Sequence, residues 1–423
     1  MRNVAGKNGE TPFYPGQPDP MAQQFLQFAN EMFGADTANV VQSTENLSLA
    51  FLLNLYRQSG DSSLRKLKVR PDVRDKLSKI YQLNHKVATP LFLATRYLIA
   101  DMYSRVSIEE PALELGMGFG DTSNAILGNR KLAVGSTPVV DEIMGARHHF
   151  GNHRTYLAVD AAQIPYADDT FNFIVMNYTF YHLEDPARTC REMLRVLAPG
   201  GRIYFNFAIR NRIESTRVLL KLVDALGLHD YGRMASSFVF TDYGGADDTP
   251  TKEGCLALLE KNGFVDIESV DHLSPDLSRL IWLTRDLEVL FQLNLHRATG
   301  APSLELAYRQ FVENQLAALL SHDSALCDGG DGGTFMFVSA RKPGDRTSSR
   351  ILGDDDIKDR MVCPVTQKLL RHYPGYLWSE EAKIAYPIHQ DIALLMPLYG
   401  DLWRRQNAQS GSSDPAHWAP FSY

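Results

Sequence analysis

From Pro111 onward, short apolar runs alternate with helical patterns, and this alternation limits the possible folds more than any other feature of the chain. The runs are PALELG, KLAVGS, TYLAVDA, FNFIVMNY and RIYFNFAI, with TSNAILG, VVDEIMGARHHF and the amphipathic DPARTCREMLRVL between them. A helix, TKEGCLALLEKNG, and two strands, FVDIESVDHL and GTFMFVSARKP, continue the pattern. Strand–helix alternation of this kind predicts an α/β fold, a parallel sheet with helices on both faces.

The first strand runs into Leu113-Glu114-Leu115-Gly116-Met117-Gly118-Phe119-Gly120-Asp121 and then opens a helix. Glycines at 116, 118 and 120 permit a tight turn that a ligand can approach closely. The spacing is GxGxG led by an acid, not the GxGxxG of dinucleotide binders, so no pyrophosphate need be cradled. An acid at the strand end suits a cationic or hydroxyl-bearing ligand.

Four further segments follow in order: Val159-Asp160-Ala161; Ile164-Pro165-Tyr166-Ala167-Asp168-Asp169-Thr170-Phe171; Val175-Met176-Asn177-Tyr178 with Tyr181-His182-Leu183-Glu184-Asp185-Pro186; and Arg191 to Arg202, REMLRVLAPGGR. Together with the glycine turn, they make residues 111–205 resemble a class I S-adenosylmethionine-dependent methyltransferase of the small-molecule type. The resemblance implies a Rossmann-like, seven-stranded sheet with S-adenosyl-L-methionine as cofactor. It places Gly116, Met117, Gly118 and Gly120 under the adenosyl and methionine parts, and Glu114 at the methionine ammonium. Asp160 and Ala161 would meet the adenine, and Asn177 and Tyr178 the methionine side. Tyr178 and His182, at the rim, are the candidate catalytic residues. Glu192 and Arg195, three apart on one helix, are expected to form a surface pair.

One position departs from the family. Its second strand ends in an acid that holds both ribose hydroxyls, and Gly135 stands there in the run Ala133-Val134-Gly135-Ser136-Thr137-Pro138. Ser136 or Thr137 would have to serve instead, and Asp141 would have to reach back from the next helix. The loss of one charged hydrogen-bonding partner is of order 1–3 kcal/mol.

Around this core the expected organisation is a flexible arm at 1–20, an N-terminal helical region or lid at 21–108, and the cofactor-binding domain at 109–343. A helical lid insertion is expected at about 275–326. Its Trp282, Phe291, Tyr308 and Phe311 recur at helical spacing and are expected to pack, while His272 and His296 are candidates for proton handling. A linker at 344–356 leads to a small β-rich domain at 357–404, and a flexible tail occupies 405–423. The C-terminal domain, with Met361 to Leu370, Tyr376-Leu377-Trp378 and Ala385 to Leu395, resembles the small activator subunit of tRNA, rRNA and release-factor methyltransferases. Zinc-binding members of that family use four cysteines and only Cys363 matches, so no metal is expected.

The chain has 423 residues and a formal net charge of −7. The acidic balance argues against nucleic acid as a partner. The absence of long apolar runs and of a signal peptide points to a cytoplasmic protein with no membrane partner, a reading compatible with an oligomer. The leading expectation is methyl transfer to an O, N or C atom of a small molecule, with natural-product biosynthesis as a candidate setting. Aminocarboxypropyl transfer or cyclisation, methylation of RNA or a translation factor, and a non-catalytic scaffold stand as alternatives.

Overall fold

A computed structural model describes residues 69–83, 90–127, 133–151, 154–209, 251–273, 333–345, 354–408, 412 and 414–422. The chain forms two compact units, Met1–Leu64 and Arg65–Tyr423, and all described residues lie in the second. The arm, the lid insertion with its four aromatic residues, and His296 fall outside the described residues.

Helices α1 (Pro71–Leu83) and α2 (Pro90–Tyr103) precede the sheet. The alternating core then follows the expected order. It runs β1 (Ala112–Leu115), α3 (Asp121–Ile126), β2 (Val134–Thr137), α4 (Val140–Phe150), β3 (Thr155–Ala158), β4 (Phe171–Asn177), α5 (Pro186–Val196), β5 (Leu197–Ala208), α6 (Lys252–Lys261), β6 (Val265–His272) and β7 (Phe335–Arg341). Residues in β1, β2 and β4 are buried throughout, because helices cover both faces of a parallel sheet and leave no solvent side. Helix α5 starts sharply. Asp185 caps it by accepting the Arg188 N–H at 2.9 Å, and Pro186 fills the first position, where no N–H is needed.

After β7 come α7 (Asp354–Lys358), β8 (Arg371–Tyr373), β9 (Tyr376–Ser379), β10 (Ile384–His389), β11 (Ile392–Leu394) and α8 (Pro397–Gln406). The expected seven-stranded sheet has eleven strands among the described residues, in the order β6-β7-β5-β4-β1-β2-β3-β11-β10-β9-β8. The difference lies at the β3 edge. An edge strand presents unpaired backbone groups, and β11 takes them up in parallel, with Ala393 opposite Leu157 and Leu394 opposite Ala158. Ile392, Leu394, Tyr399 and Trp403 then share an apolar cluster with Val140, Ile143 and Ala146 of α4 and with Tyr156 of β3.

Two expectations need correction. The tail from 405 was expected to be loose, yet Phe421 is buried, and Trp418 meets Trp403 edge-on at 5.0 Å between ring centres. The Trp403 indole donates to the Ala419 carbonyl at 2.8 Å, and the Ala419 N–H donates to Asn407 at 2.7 Å. Aromatic residues in an aperiodic tail give no sequence signal for docking, because their partners lie on another element.

Glu192 and Arg195 are likewise no surface pair. Arg195 donates from Nε to Glu192 (2.9 Å), from Nη1 to the Tyr166 carbonyl (2.6 Å) and Asp168 (3.0 Å), and from Nη2 to the Ile164 carbonyl (2.8 Å) and Glu192 (2.8 Å). Glu192 also accepts the Ile164 N–H at 3.0 Å and Gln367 at 3.2 Å. The pair clamps the 164–168 loop onto α5 and ties the C-terminal domain to both.

Candidate functional site

The chain leaves β1 between β4 on one side and β2 on the other, which is where an open α/β sheet forms a crevice at its carboxyl ends. The glycine turn lies there. Gly116, Gly118 and Gly120 all have positive φ (66°, 54° and 73°), the left-handed conformation that side chains disfavour. Gly116 is packed from behind: a Cβ there would lie 2.2 Å from Thr179, whose hydroxyl donates to the Gly116 carbonyl at 2.9 Å. Gly118 faces open space, with nothing within 4 Å of an added Cβ. It is the open cradle of the turn.

On the β4 side, Asn177 is buried. Its Oδ1 accepts from the Tyr103 hydroxyl of α2 (3.1 Å) and from Asn206 of β5 (2.7 Å), while its Nδ2 has no partner. Burial raises the pKa of Tyr103, and the nearby Glu114 charge raises it further, so the phenol remains a donor. Tyr178 follows with φ 56°, and the Arg96 guanidinium of α2 lies 4.4 Å from its ring centre. Arg96 also donates to Thr122 of α3 at 3.0 Å. Burial pushes the Tyr178 pKa up to about 12 against the opposing pull of Arg96 and Thr95, which makes the residue a neutral hydrogen-bonding group, not a base. His182 ends a short 3-10 turn, Phe180–His182. Atoms packed around its imidazole lower its pKa, although the side chain keeps access to solvent.

On the β2–β3 side, Asp160 is exposed just beyond β3, and its Oδ1 accepts the Ala162 N–H at 2.8 Å in a local turn. Ala161 lies beside it, half-buried. Ser136 donates to the Glu114 carbonyl at 2.9 Å, and Thr137 to Glu142 at 2.6 Å, so both hydroxyl protons are engaged inside the domain. Ser136 also follows Gly135 along the strand and therefore lies on the opposite face. Asp141 is exposed on α4.

The residue that sequence reasoning missed is Arg154, immediately before β3. Its side chain and that of Glu114 are each only 2% exposed, and Nη1 meets the Glu114 carboxylate at 2.8 Å. The carboxylate expected to receive an ammonium therefore already holds a cation. The guanidinium reaches it by crossing Gly135, where an added Cβ would lie 3.1 Å from Cζ and from Nε, and 2.6 Å from the Met117 sulfur. An added Cβ at Gly120 would lie 3.1 Å from Nη2. Nε and Nη2 have no partner. Arginine at the head of a strand as apolar as TYLA was the available signal; Tyr103 and Arg96, in the helix before the motifs, offered none.

Residues 113–205 match the family described as methyltransferase domain. This stretch of the chain is a methyltransferase domain. The resemblance drawn from the sequence names S-adenosylmethionine as the cofactor expected of such a domain. The chain is 32% identical over 95 residues to the demethylmenaquinone methyltransferase of Halalkalibacterium halodurans, covering 22% of this chain and 36% of that protein. It is 27% identical over 154 residues to the ubiquinone/menaquinone biosynthesis C-methyltransferase of Vibrio vulnificus, covering 30% and 56%. It thus spans about a third to a half of the length of these relatives. A solved structure of Haemonchus contortus phosphoethanolamine N-methyltransferase 2 with S-adenosyl-L-methionine superposes with a TM-score of 0.39 at 15% identity, covering 67% of this chain and 61% of that one.

The residues present fit such a cofactor. Buried donors without partners, Asn177 Nδ2 and Arg154 Nε and Nη2, lie on both sides of the open Gly118 cradle. They suit a ligand rich in acceptor oxygens. Among the described residues no cluster of His, Cys, Asp or Glu is arranged to hold a metal ion, and no helix is long and apolar enough to cross a membrane.

Proposed function

We propose that the whole chain is a methyltransferase acting on an O, N or C atom of a small molecule. The observation that carries this reading is Tyr103. It comes from the chain's own N-terminal helix α2 and donates to Asn177 at the end of β4, so a helix of this chain packs beside the end of β4 where the acceptor is expected. The names of the relatives, which refer to demethylmenaquinone and to ubiquinone and menaquinone biosynthesis, support a non-macromolecular substrate.

In this reading Gly116, Met117, Gly118 and Gly120 form the cofactor floor. Asp160 and Ala161 hold the adenine, and Asn177 the methionine end. S-adenosylmethionine supplies the methyl group, and the protein's part is to orient the acceptor and exclude water. Tyr178, neutral and held under Arg96, orients the acceptor as a hydrogen-bonding group, and His182, with a lowered pKa, is the nearby group able to take up a proton.

The C-terminal domain is read as an activator-like module joined in cis. Its support is the β11–β3 pairing and the apolar cluster over α4, which cover an edge and a face of the cofactor domain.

Methyl-labelled S-adenosylmethionine incubated with a cell extract and the protein tests the function. Label is expected in the small-molecule fraction with a mass increase of one methyl group. Label in RNA or protein overturns the small-molecule reading, and a mass increase of an aminocarboxypropyl group overturns methyl transfer.

A further inference from the structure

The geometry points to Arg154 as the residue that holds the ribose of the cofactor, by donating hydrogen bonds where an acid would accept them. This rests on the cofactor reading above and deepens it. The sheet order runs β4-β1-β2-β3. With the methionine end at Asn177 on β4 and the adenine end at Asp160 beyond β3, the ribose between them falls over β2. The group that occupies that place is the Arg154 guanidinium, lying across Gly135 and against Gly120. Nη1 is bound to Glu114, and the two orphaned groups, Nε and Nη2, lie against Gly135 and Gly120 respectively.

Burial of two unpaired guanidinium N–H groups is costly unless a ligand completes them. Ribose hydroxyl oxygens supply the missing acceptors. Glu114 holds the guanidinium in place and balances its charge, so the pair presents donors without presenting net charge. The Met117 sulfur lies against Gly135 beside the guanidinium, and an unbranched thioether with three rotatable bonds is suited to swing aside for a ligand. Gly135 is then the condition of the arrangement and not a defect, since any side chain there would meet the guanidinium and the Met117 sulfur.

Calorimetric titration of the full chain with S-adenosylhomocysteine and its 2′-deoxy and 3′-deoxy analogues tests this. In the unaltered protein each deoxy analogue is expected to bind about tenfold more weakly than the parent, the usual effect of losing a hydrogen bond to a charged group. In Arg154→Met all three ligands should bind alike, the parent about a hundredfold and each deoxy analogue about tenfold more weakly than to the unaltered protein, because both donors are gone. Glu114→Gln combined with Arg154→Met leaves no unpaired buried charge and should behave alike, so a poorly folding single variant does not obstruct the test. Glu142→Gln should retain the full hydroxyl dependence.

Three results overturn the assignment: equal binding of all three ligands by the unaltered protein, hydroxyl dependence that survives in the Arg154 variants or vanishes in Glu142→Gln, or tighter binding once Arg154 is removed. The last would mean that the guanidinium blocks the pocket. No binding of S-adenosylhomocysteine at millimolar concentration overturns the cofactor reading itself, and this assignment with it.

Discussion

Two glutamate–arginine pairs are built into the same domain, and they differ in what is left over. In Glu192–Arg195 every nitrogen of the guanidinium has an acceptor, and three of those contacts reach the 164–168 loop. In Glu114–Arg154 one nitrogen is used and two are idle. A saturated pair fastens chain segments to each other. An unsaturated one, placed beside an open glycine turn, leaves donors for the ligand proposed above.

The sharpest way to break this comparison is to replace each pair by neutral residues of similar size. Glu192→Gln with Arg195→Met strands the Ile164 and Tyr166 carbonyls, and is expected to lower unfolding stability by about 3 kcal/mol in urea melts. The same change at Glu114 and Arg154 removes two buried charges and two idle donors together. It is expected to change stability by less than about 1 kcal/mol, since a buried pair swapped for well-packed apolar groups is often neutral. Equal losses at the two sites would erase the distinction.

A smaller effect separates both pairs from the uncharged groups beside them. The Tyr178 pKa is raised by burial to about 12, so the folded state keeps its proton after the unfolded chain loses it. Its contribution is present in full below about pH 10, and stability declines as pH rises from there towards 12. Tyr178→Phe should flatten that decline in melts followed across the range. An unchanged slope would assign it to other tyrosines, of which Tyr103 and Tyr204 are also raised by burial.

Much of the fold was legible before any coordinates. Each apolar run from PALELG to GTFMFVSARKP is a strand, and the patterns TSNAILG, VVDEIMGARHHF and DPARTCREMLRVL each hold a helix, because short-range periodicity reports which faces of an element are buried. The glycine turn was legible for the same local reason: positive φ at 116, 118 and 120 is a property of the backbone at those residues. The joining of β11 to β3 was not legible. Strand pairing between residues as distant as Leu157 and Ala393 depends on which edge is left open, and local patterns carry no record of that. The docking of Phe421 and Trp418 escaped notice for the same reason.

The site divides along the same line. Sequence alone determined that a turn of three glycines follows a buried strand, that Glu114 precedes it, and that Gly135 stands where an acid was expected. Tertiary structure decided what those facts mean together. Glu114 and Arg154 are 40 residues apart, and they meet only because β2, with no side chain at Gly135, lies between their strands and lets the guanidinium pass. Composition and spacing set the chemistry available to each element. Which groups face one another, and which are left without a partner, follows from strand register and order, properties of the assembled sheet.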